Sequence, residues 1–320
     1  MNEFTMPPKI VAIGGGHGLA SLLRGLKHHT PNITAIVTVA DDGGSSGRLR
    51  REMGVLPPGD FRMCITALAN DESLVAQLFQ YRFGGGAGGD SGLAGHNFGN
   101  LFITAMAALT GSFERALVES SKVLASTGRI IPSTLMDVTL CAEYRNVRGN
   151  ARGESSIGKE GHIIERVWLE PHQPAVFPDA VRAILDADLV VMGPGSLFTS
   201  VMPNLLVPGI ARALQHTKAP CVYVGNVATE RGETDGFTLP DFVNALEMHI
   251  GRNVIDYVIA NNYVSANFNP PSRVTIIQPV DSVVGSSAKI IPIDVVDVET
   301  PWRHNPNKLA QAVLGLIKHC

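Results

Sequence analysis

The chain has 320 residues, of which 45% are hydrophobic and 17% are charged. Its 33 glycines and 20 prolines stay well below the share of roughly 25–30% that marks low-complexity chains, so disorder as the main state is excluded. With 26 basic and 29 acidic residues and a formal charge of −3, the chain lacks the positive field of nonspecific nucleic-acid binders, and no nucleic-acid partner is expected.

Cysteine spacing and hydropathy exclude further classes of protein. The four cysteines form no CxxC pair and have no histidine at ligand spacing, which excludes a disulfide framework and a structural zinc site. The amino terminus carries no apolar leader region, and no later apolar stretch is long enough to span a bilayer. We therefore expect a cytoplasmic protein with reduced thiols and no membrane insertion.

The first predicted elements are strand, glycine turn, helix and strand. The apolar run 9–13 ends in a glycine-rich turn at 14–18, after which leucines recur at helical spacing. The β-branched run 33–40 is typical of a strand buried on both faces of a parallel sheet. A polar, glycine-dense loop is predicted at 41–51, and the prolines of 54–60 predict a stretch without regular structure.

The middle of the chain predicts helices and a small antiparallel lobe. A helical pattern at 61–83 leads into a second glycine-rich loop at 84–95, and helices follow to Leu109 and over 113–125. Short alternating runs between 129 and 170 break this rhythm and predict an antiparallel excursion that forms a small β lobe.

The remaining chain alternates between strand and helix. Strands are predicted at 188–192, 221–224, 257–260 and 290–298, and helices at 179–185, 210–215, 239–249 and 308–318. This alternation predicts a single α/β domain over 1–320, built on a doubly wound, mostly parallel Rossmann-like sheet.

Turns just past several predicted strands contain small or amide side chains, which leave room for a ligand over the carboxyl edge of the sheet. The turn 14–18 suits a diphosphate, because glycines let the backbone approach an anion and the next helix presents free N–H groups. Its spacing matches neither the Rossmann nor the Walker fingerprint, so a tight turn for helix packing is the alternative.

Two acids and an arginine are further candidates. Asp42 could accept from ribose hydroxyls or hold Mg²⁺ between phosphates, whereas Asp41 has capping of the next turn as its alternative. Asp60 carries the same ambiguity, because it could cap the following helix. Arg48 lies beside the glycine-serine turn 43–47 and could meet a phosphate, with a solvated charged surface as the ordinary alternative.

His96 and Asn97 open a helix after the second glycine loop and could clamp a ligand, although a lone histidine is more often a packed or surface residue. Arg303 follows Trp302 near the end of the chain. A core tryptophan beside a surface arginine is the default interpretation, and a return of the chain over the nucleotide edge is the alternative.

The chain resembles a known family through the motifs IGGGHGLASLLRGLK, TAIVTVADDGGSSGRLR, GVLPPGDFRMCITALA, GHNFGN, MGPGSLFTSVMP and YVGN. In this order they closely resemble the gluconeogenesis factor (YvcK-like) branch of the CofD-like, or 2-phospho-L-lactate transferase-like, family. The resemblance implies a Rossmann-like protein that binds a nucleotide diphosphate, such as a UDP-sugar or NAD(P), and that acts in cell shape and gluconeogenic growth.

The transferase branch moves a phospholactyl group from a guanylylated donor to a deazaflavin, using Mg²⁺ and paired aspartates. By resemblance, Asp42 and Asp60 are the catalytic and metal-binding residues if this chain is a transferase. The chain departs from that branch in carrying GGSSGR after the aspartates. The residues expected to bind the nucleotide are Gly14, Gly15, Gly16, His17, Gly18, Asp42, Gly44, Ser45, Ser46, Arg48, His96, Asn97, Gly193, Gly195, Ser196, Asn226 and Arg303.

Two functions therefore compete. A regulatory nucleotide-binding protein without turnover is favoured because no nucleophile–base set or Cys/His metal site is evident. A Mg²⁺-dependent transferase of a phosphate-linked small molecule is favoured by the acids beside two glycine loops. The expected partners are the small nucleotide, a cell-envelope regulatory protein and a second copy of the chain in a homodimer.

Overall fold

The structure is a computed structural model that describes residues 6–69, 73–84, 92–145, 149–158, 161–264 and 274–317. The strands are β1 Ile10–Gly14, β2 Ile33–Val37, β3 Arg129–Pro132, β4 Thr139–Tyr144, β5 Asn150–Arg152, β6 Ile164–Glu170, β7 Leu189–Met192, β8 Cys221–Val224, β9 Tyr257–Asn261 and β10 Lys289–Ile293. The α-helices are α1 Gly16–Leu26, α2 Gly44–Met53, α3 Gly59–Leu68, α4 Leu74–Gln80, α5 Phe98–Thr110, α6 Phe113–Val123, α7 Pro178–Leu185, α8 Met202–Leu205, α9 Pro208–His216, α10 Leu239–Ile250 and α11 Pro306–Ile317.

Within these residues, a seven-stranded sheet has the order β10-β9-β8-β7-β1-β2-β3, and every pairing in it is parallel. The chain runs outward from β1 through β2 to β3, and from β7 through β8 and β9 to β10. The strand order therefore reverses between β1 and β7, where open α/β sheets leave a crevice outside the carboxyl ends of the strands. The predicted doubly wound, mostly parallel sheet is confirmed.

The core is centred on the middle strands. All residues of β1, β7 and β8 are buried, as expected for strands that are covered by helices on both faces. Helix α1 buries Leu19, Leu22, Leu23 and Leu26, the leucines that predict it, and packs against α3 and α11. This packing fixes the start of α1 at the end of β1.

The small lobe exists but begins later than predicted. Strands β4, β5 and β6 form a three-stranded antiparallel sheet with the order β5-β4-β6. Residues 129–132, which the alternating pattern assigns to this lobe, instead form β3 and pair in parallel with β2. Ile130 and Ile131 are buried there, so tertiary packing against α6 and α7 decides the sheet to which this short run belongs.

One loop prediction and one helix prediction are wrong. The predicted loop 41–51 contains α2, which buries Leu49 and is capped by Gly54, a residue in the left-handed conformation with φ 64°. The predicted helix 61–83 is two helices: α3 ends at Leu68, and α4 starts after Ser73, whose side chain accepts a hydrogen bond from the Ala76 N–H. Most of the predicted glycine loop 84–95 lies outside the described residues.

Other differences are smaller. The predicted strands 33–40 and 290–298 are shorter than expected, because β2 ends at Val37 and β10 ends at Ile293. A π-helical turn, Leu197–Val201, leads into α8, and neither element is predicted by the sequence pattern. Among the described residues no single helix is long and apolar enough to cross a bilayer, although the bent pair Leu197–Leu205 and Pro208–His216 passes by length and composition.

Candidate functional site

A cleft of about 690 Å³ lies at the crossover between β1 and β7. Its walls are the turn after β1, the turn after β7, the segment that follows β8 and residues 302–304 near the end of the chain. The volume falls within the range of small-molecule and cofactor pockets. Nine of the predicted site residues line it: Gly15, Gly16, His17, Gly18, Asp60, Gly195, Ser196, Asn226 and Arg303.

The two turns at the base of the cleft pack directly against each other. A Cβ atom on Gly18 would lie 2.5 Å from the carbonyl oxygen of Pro194 and 2.8 Å from the Gly195 nitrogen. Gly16 adopts the left-handed conformation with φ 63°. Packing between the turns is therefore sufficient to require glycine at position 18, whatever ligand the cleft accepts.

Asp60 belongs to α3, and its side chain lies beside the start of α1. Its carboxylate accepts a hydrogen bond from the Gly16 N–H and lies so close to Gly15 that a Cβ atom there would collide with it. Burial, reinforced by the negative charge of Asp41, raises the pKa of Asp60 to about 7. A carboxylate of the protein thus already meets the helix terminus that the sequence assigns to a phosphate.

Two more carboxyl groups accept hydrogen bonds at the second helical start, the π-helical turn Leu197–Val201. The Ser196 hydroxyl and the Asn226 side-chain amide donate to Glu230, the latter over 3.1 Å. The Thr199 hydroxyl donates to Glu233 over 3.0 Å. Burial raises the pKa of Glu230, and burial together with Glu230 raises the pKa of Glu233 to about 8.

One wall of the cleft is acidic. Asp41, Asp60 and Glu154 line it together, although Glu154 comes from the small lobe. Burial raises the pKa of Glu154 to about 9, with further contributions from Asp41, Asp60, Asp42 and Glu233 in that order. The sequence reasoning misses Glu154, Glu230 and Glu233. Glu230 follows a predicted strand closely enough to have been a candidate, whereas no local signal marks Glu154.

A second group of lining residues, called the basic wall below, is basic. It consists of Arg24, Arg303 and His17, whose pKa is lowered by burial and by the positive charges of Arg303, Arg62 and Arg24. His304 lies with its Nε2 atom 3.1 Å from the Gly225 carbonyl oxygen, and burial lowers its pKa to about 4, so it is neutral at pH 7. The cleft lining therefore contains both guanidinium groups and carboxyl groups.

Asp42 lies outside the cleft lining. Its carboxylate accepts a hydrogen bond of 2.8 Å from the Ser155 N–H, which joins the start of α2 to the small lobe. Its neighbour Asp41 lines the cleft instead and accepts from the Gly43 N–H over 2.8 Å. The adjacent acids thus point to different parts of the molecule.

A second group of predicted residues joins α2 to α3 and α5. Ser45 Oγ lies 3.0 Å from His96 Nδ1 and accepts from the Asn97 N–H over 3.3 Å. Asn97 caps α5 by accepting from the Asn100 N–H, and the Ser46 hydroxyl accepts from the Gly59 N–H over 3.0 Å. The remaining predicted residues, Gly14, Gly44, Arg48 and Gly193, are also absent from the cleft lining.

The donor set for Mg²⁺ is incomplete in the protein alone. Among the described residues, no group of three or more His, Cys, Asp or Glu side chains is arranged to hold a metal ion. Mg²⁺ commonly takes only one or two carboxylates and completes its shell with substrate phosphates and water. Asp41 and Asp60 line the same wall and fit that more limited role, whereas Asp42 faces the small lobe.

Comparison with known proteins assigns the family. The model of the family described as 2-phospho-L-lactate transferase CofD matches residues 10–284. The chain belongs to the CofD family. A Nostoc relative is 49% identical over 321 residues, which span 96% of this chain and 68% of the relative. The Bacillus subtilis protein named gluconeogenesis factor is 42% identical, with 97% of this chain and 98% of that protein covered.

A solved structure supports both fold and branch. The crystal structure of a Bacillus halodurans protein superposes on this CofD-family chain with a TM-score of 0.87 at 40% sequence identity, covering 97% of this chain and 100% of that chain. Together with the relatives, this agreement places the chain in the gluconeogenesis factor branch of the CofD family, as the sequence motifs predict.

Proposed function

We propose that this CofD-family chain is a regulatory protein that binds a nucleotide diphosphate, either a UDP-sugar or NAD(P), in the cleft between β1 and β7. The observation that carries the proposal is the cleft of about 690 Å³, lined by both guanidinium and carboxyl groups, at the point where the strand order reverses. This is the position at which open α/β sheets bind their ligands. No turnover is part of this proposal.

The polarity suggests how the ligand lies. Because Asp60 accepts from the Gly16 N–H and Glu233 from the Phe198 N–H at the two helical starts, the diphosphate is best accommodated by the guanidinium groups of Arg24 and Arg303. Ribose or sugar hydroxyl groups then face the acidic wall, where carboxyl groups exchange hydrogen bonds with hydroxyl groups. Glu154 lies on that wall.

The biological role belongs to the same proposal. We propose that ligand occupancy links metabolite level to cell morphogenesis during gluconeogenic growth, through a cell-envelope regulatory protein in the cytoplasm. The name of the Bacillus subtilis relative, gluconeogenesis factor, supports the metabolic part.

Calorimetry of the purified chain against UDP-N-acetylglucosamine, NAD, NADP and GDP, each with and without Mg²⁺, tests the proposal. We expect tight, metal-independent binding of UDP-N-acetylglucosamine, NAD or NADP without product. Arg303→Ala should weaken that binding at least about tenfold, because it removes a charge-assisted contact to phosphate. Arg212→Ala, a change at an exposed arginine on α9, is the matched control. Unchanged affinity in Arg303→Ala would contradict the assignment.

A Mg²⁺-dependent transferase of a phosphate-linked small molecule is the second candidate. The pKa of Asp60, raised to about 7, favours it, because such a carboxyl group can take up or release a proton near neutral pH. Asp41 and Asp60 would hold the ion with the ligand phosphates, and bound Mg²⁺ would neutralise phosphate charge. Mg²⁺-dependent binding with cleavage of the ligand, detected by chromatography of the calorimetry mixtures, would favour this function.

A further inference from the structure

Three arginines outside the cleft lining converge on the start of α5. Arg48 donates to the carbonyl oxygen of Ala94 over 2.7 Å, and Arg82 donates to that of Gly95 over 2.8 Å. Arg62, on α3, donates through Nε to the Asn100 side-chain oxygen over 3.0 Å. These contacts hold three guanidinium groups around the turn that leads into α5.

Arg62 is fixed more firmly than a surface arginine. Its aliphatic stem fills the space above Gly99, where a Cβ atom would lie 2.8 Å from Arg62 Cδ. The side chain is partly buried, and its pKa is lowered by burial and by the positive charge of Arg82. Arg62 and Arg82 thus both contact the chain between Gly95 and Asn100, and Arg62 does so from a partly desolvated position.

Neither arginine has a carboxylate partner among the described residues. Exposed arginines elsewhere in the same chain do form such pairs: Arg129 with Asp179, Arg152 with Glu170 and Arg166 with Glu143. Desolvated charges in proteins are ordinarily paired. Arg62 contacts a neutral amide instead, and Asp60, the acid whose charge acts on it, is held by the Gly16 N–H.

The pair lies beside the candidate ligand cleft. Arg62 is close enough to His17, on the basic wall, to lower the pKa of that histidine. Met63, the residue that follows Arg62 on α3, lines the cleft itself. An anion bound by Arg62 and Arg82 would belong either to a second ligand or to the distal part of a long ligand in the cleft.

We propose that Arg62 and Arg82 form a second anion-binding site, which takes a phosphate or carboxylate group. Guanidinium groups bind such oxyanions through paired N–H donors in a fixed plane. The anion would supply the carboxylate-like partner that Arg62 and Arg82 lack among the described residues. Neither arginine belongs to the cleft lining, so the proposed site does not rest on the proposed nucleotide binding.

Titration of the full chain with inorganic pyrophosphate tests the site. The cleft variant Arg303→Ala serves as the background, so that binding to the basic wall contributes less. In this background Arg82→Gln should weaken pyrophosphate binding about tenfold, the loss of one charge-assisted contact. Arg82 is exposed, so its replacement should leave the fold intact, which circular dichroism checks. Arg62→Gln should have a similar effect, and Arg212→Gln should have none.

The outcomes separate this site from the cleft. Equal pyrophosphate affinity in the Arg82→Gln, Arg62→Gln and Arg212→Gln variants would overturn the proposal, as would no detectable binding in the Arg303→Ala background. If Arg82→Gln also weakens nucleotide binding to the otherwise unchanged protein, the anion is the distal group of the cleft ligand. If it weakens only pyrophosphate binding, the anion belongs to a separate ligand. Loss of the nucleotide proposal alone would leave this site standing.

Discussion

Glu154 is a single residue whose burial in the cleft lowers the stability of the folded protein. Its pKa rises from an ordinary value of 4.5 to about 9 because the folded state buries it beside Asp41 and Asp60. The folded protein therefore resists its ionisation, and the resulting loss of stability grows as the pH rises from about 4.5 to about 9. Such residues favour function over stability.

We expect Glu154→Gln to raise the free energy of unfolding by about 1–3 kcal/mol at pH 8 and to change it little at pH 5. Urea unfolding at the two pH values measures the difference. Glu165→Gln, at an exposed position in the same small lobe, is the control and should be neutral at both. A stabilisation of equal size at pH 5 and pH 8 would contradict the role of ionisation.

At Gly18 the sequence alone does not distinguish a glycine required for packing from a glycine required for ligand binding. Because its missing side chain leaves room for the backbone of Pro194 and Gly195, Gly18→Ala should destabilise the fold by roughly 2–3 kcal/mol. Gly315→Ala is the matched control. Gly315 lies inside α11 with nothing within 4 Å of a Cβ atom, and alanine there should stabilise the helix by up to about 1 kcal/mol. Thermal unfolding of both variants checks the contrast.

At the scale of elements, α2 shows how tertiary contacts override a local signal. The run GGSSGR predicts a loop, because glycine and serine are weak helix formers. Buried Leu49 and the contacts of Ser45 and Ser46 to α5 and α3 stabilise the helix instead. Both serine hydroxyls already accept hydrogen bonds that join α2 to neighbouring elements. Their predicted contacts to a phosphate stay a prediction.

Asn97 is a second residue for which a structural role can be tested against the predicted role in ligand binding. It accepts from the Asn100 N–H over 3.3 Å and donates to the Gln80 carbonyl oxygen over 3.1 Å, so Asn97→Ala should lower the free energy of unfolding by about 1–2 kcal/mol. If capping is its role, nucleotide affinity should not change. Ser112→Ala removes the cap of α6 and provides the comparison. Weaker ligand binding in Asn97→Ala alone would restore Asn97 as a binding residue.

At the scale of the whole molecule, the homodimer stays a prediction. Apolar side chains remain exposed along α4, with Leu74 at 79% and Leu78 at 42% exposure, and Leu109 at the end of α5 is 81% exposed. Exposed apolar surface of this kind often marks an interface. We expect sedimentation velocity to give twice the chain mass of 34.1 kDa. The chain mass alone at micromolar concentration would contradict this expectation.

The architecture was largely predictable because each signal for it is local. Buried apolar runs predict β1, β7, β8 and β9, and helical leucine spacing predicts α1, since both patterns depend only on nearby residues. The short run 129–132 was not assignable in this way. Its four residues fit either sheet, and the contact with β2 decides between them.

The amino-acid sequence was enough to predict most of the strands of the large sheet, the glycine turn between β1 and α1, and membership of the CofD family. Only the tertiary structure decided the chemistry of the cleft. It brings Glu154 from the small lobe to Asp41 and Asp60, and it turns Asp42 away toward Ser155. The pKa values of these carboxyl groups depend on desolvation and on mutual repulsion between residues that are distant in sequence. Local sequence patterns do not show which distant residues the fold buries together.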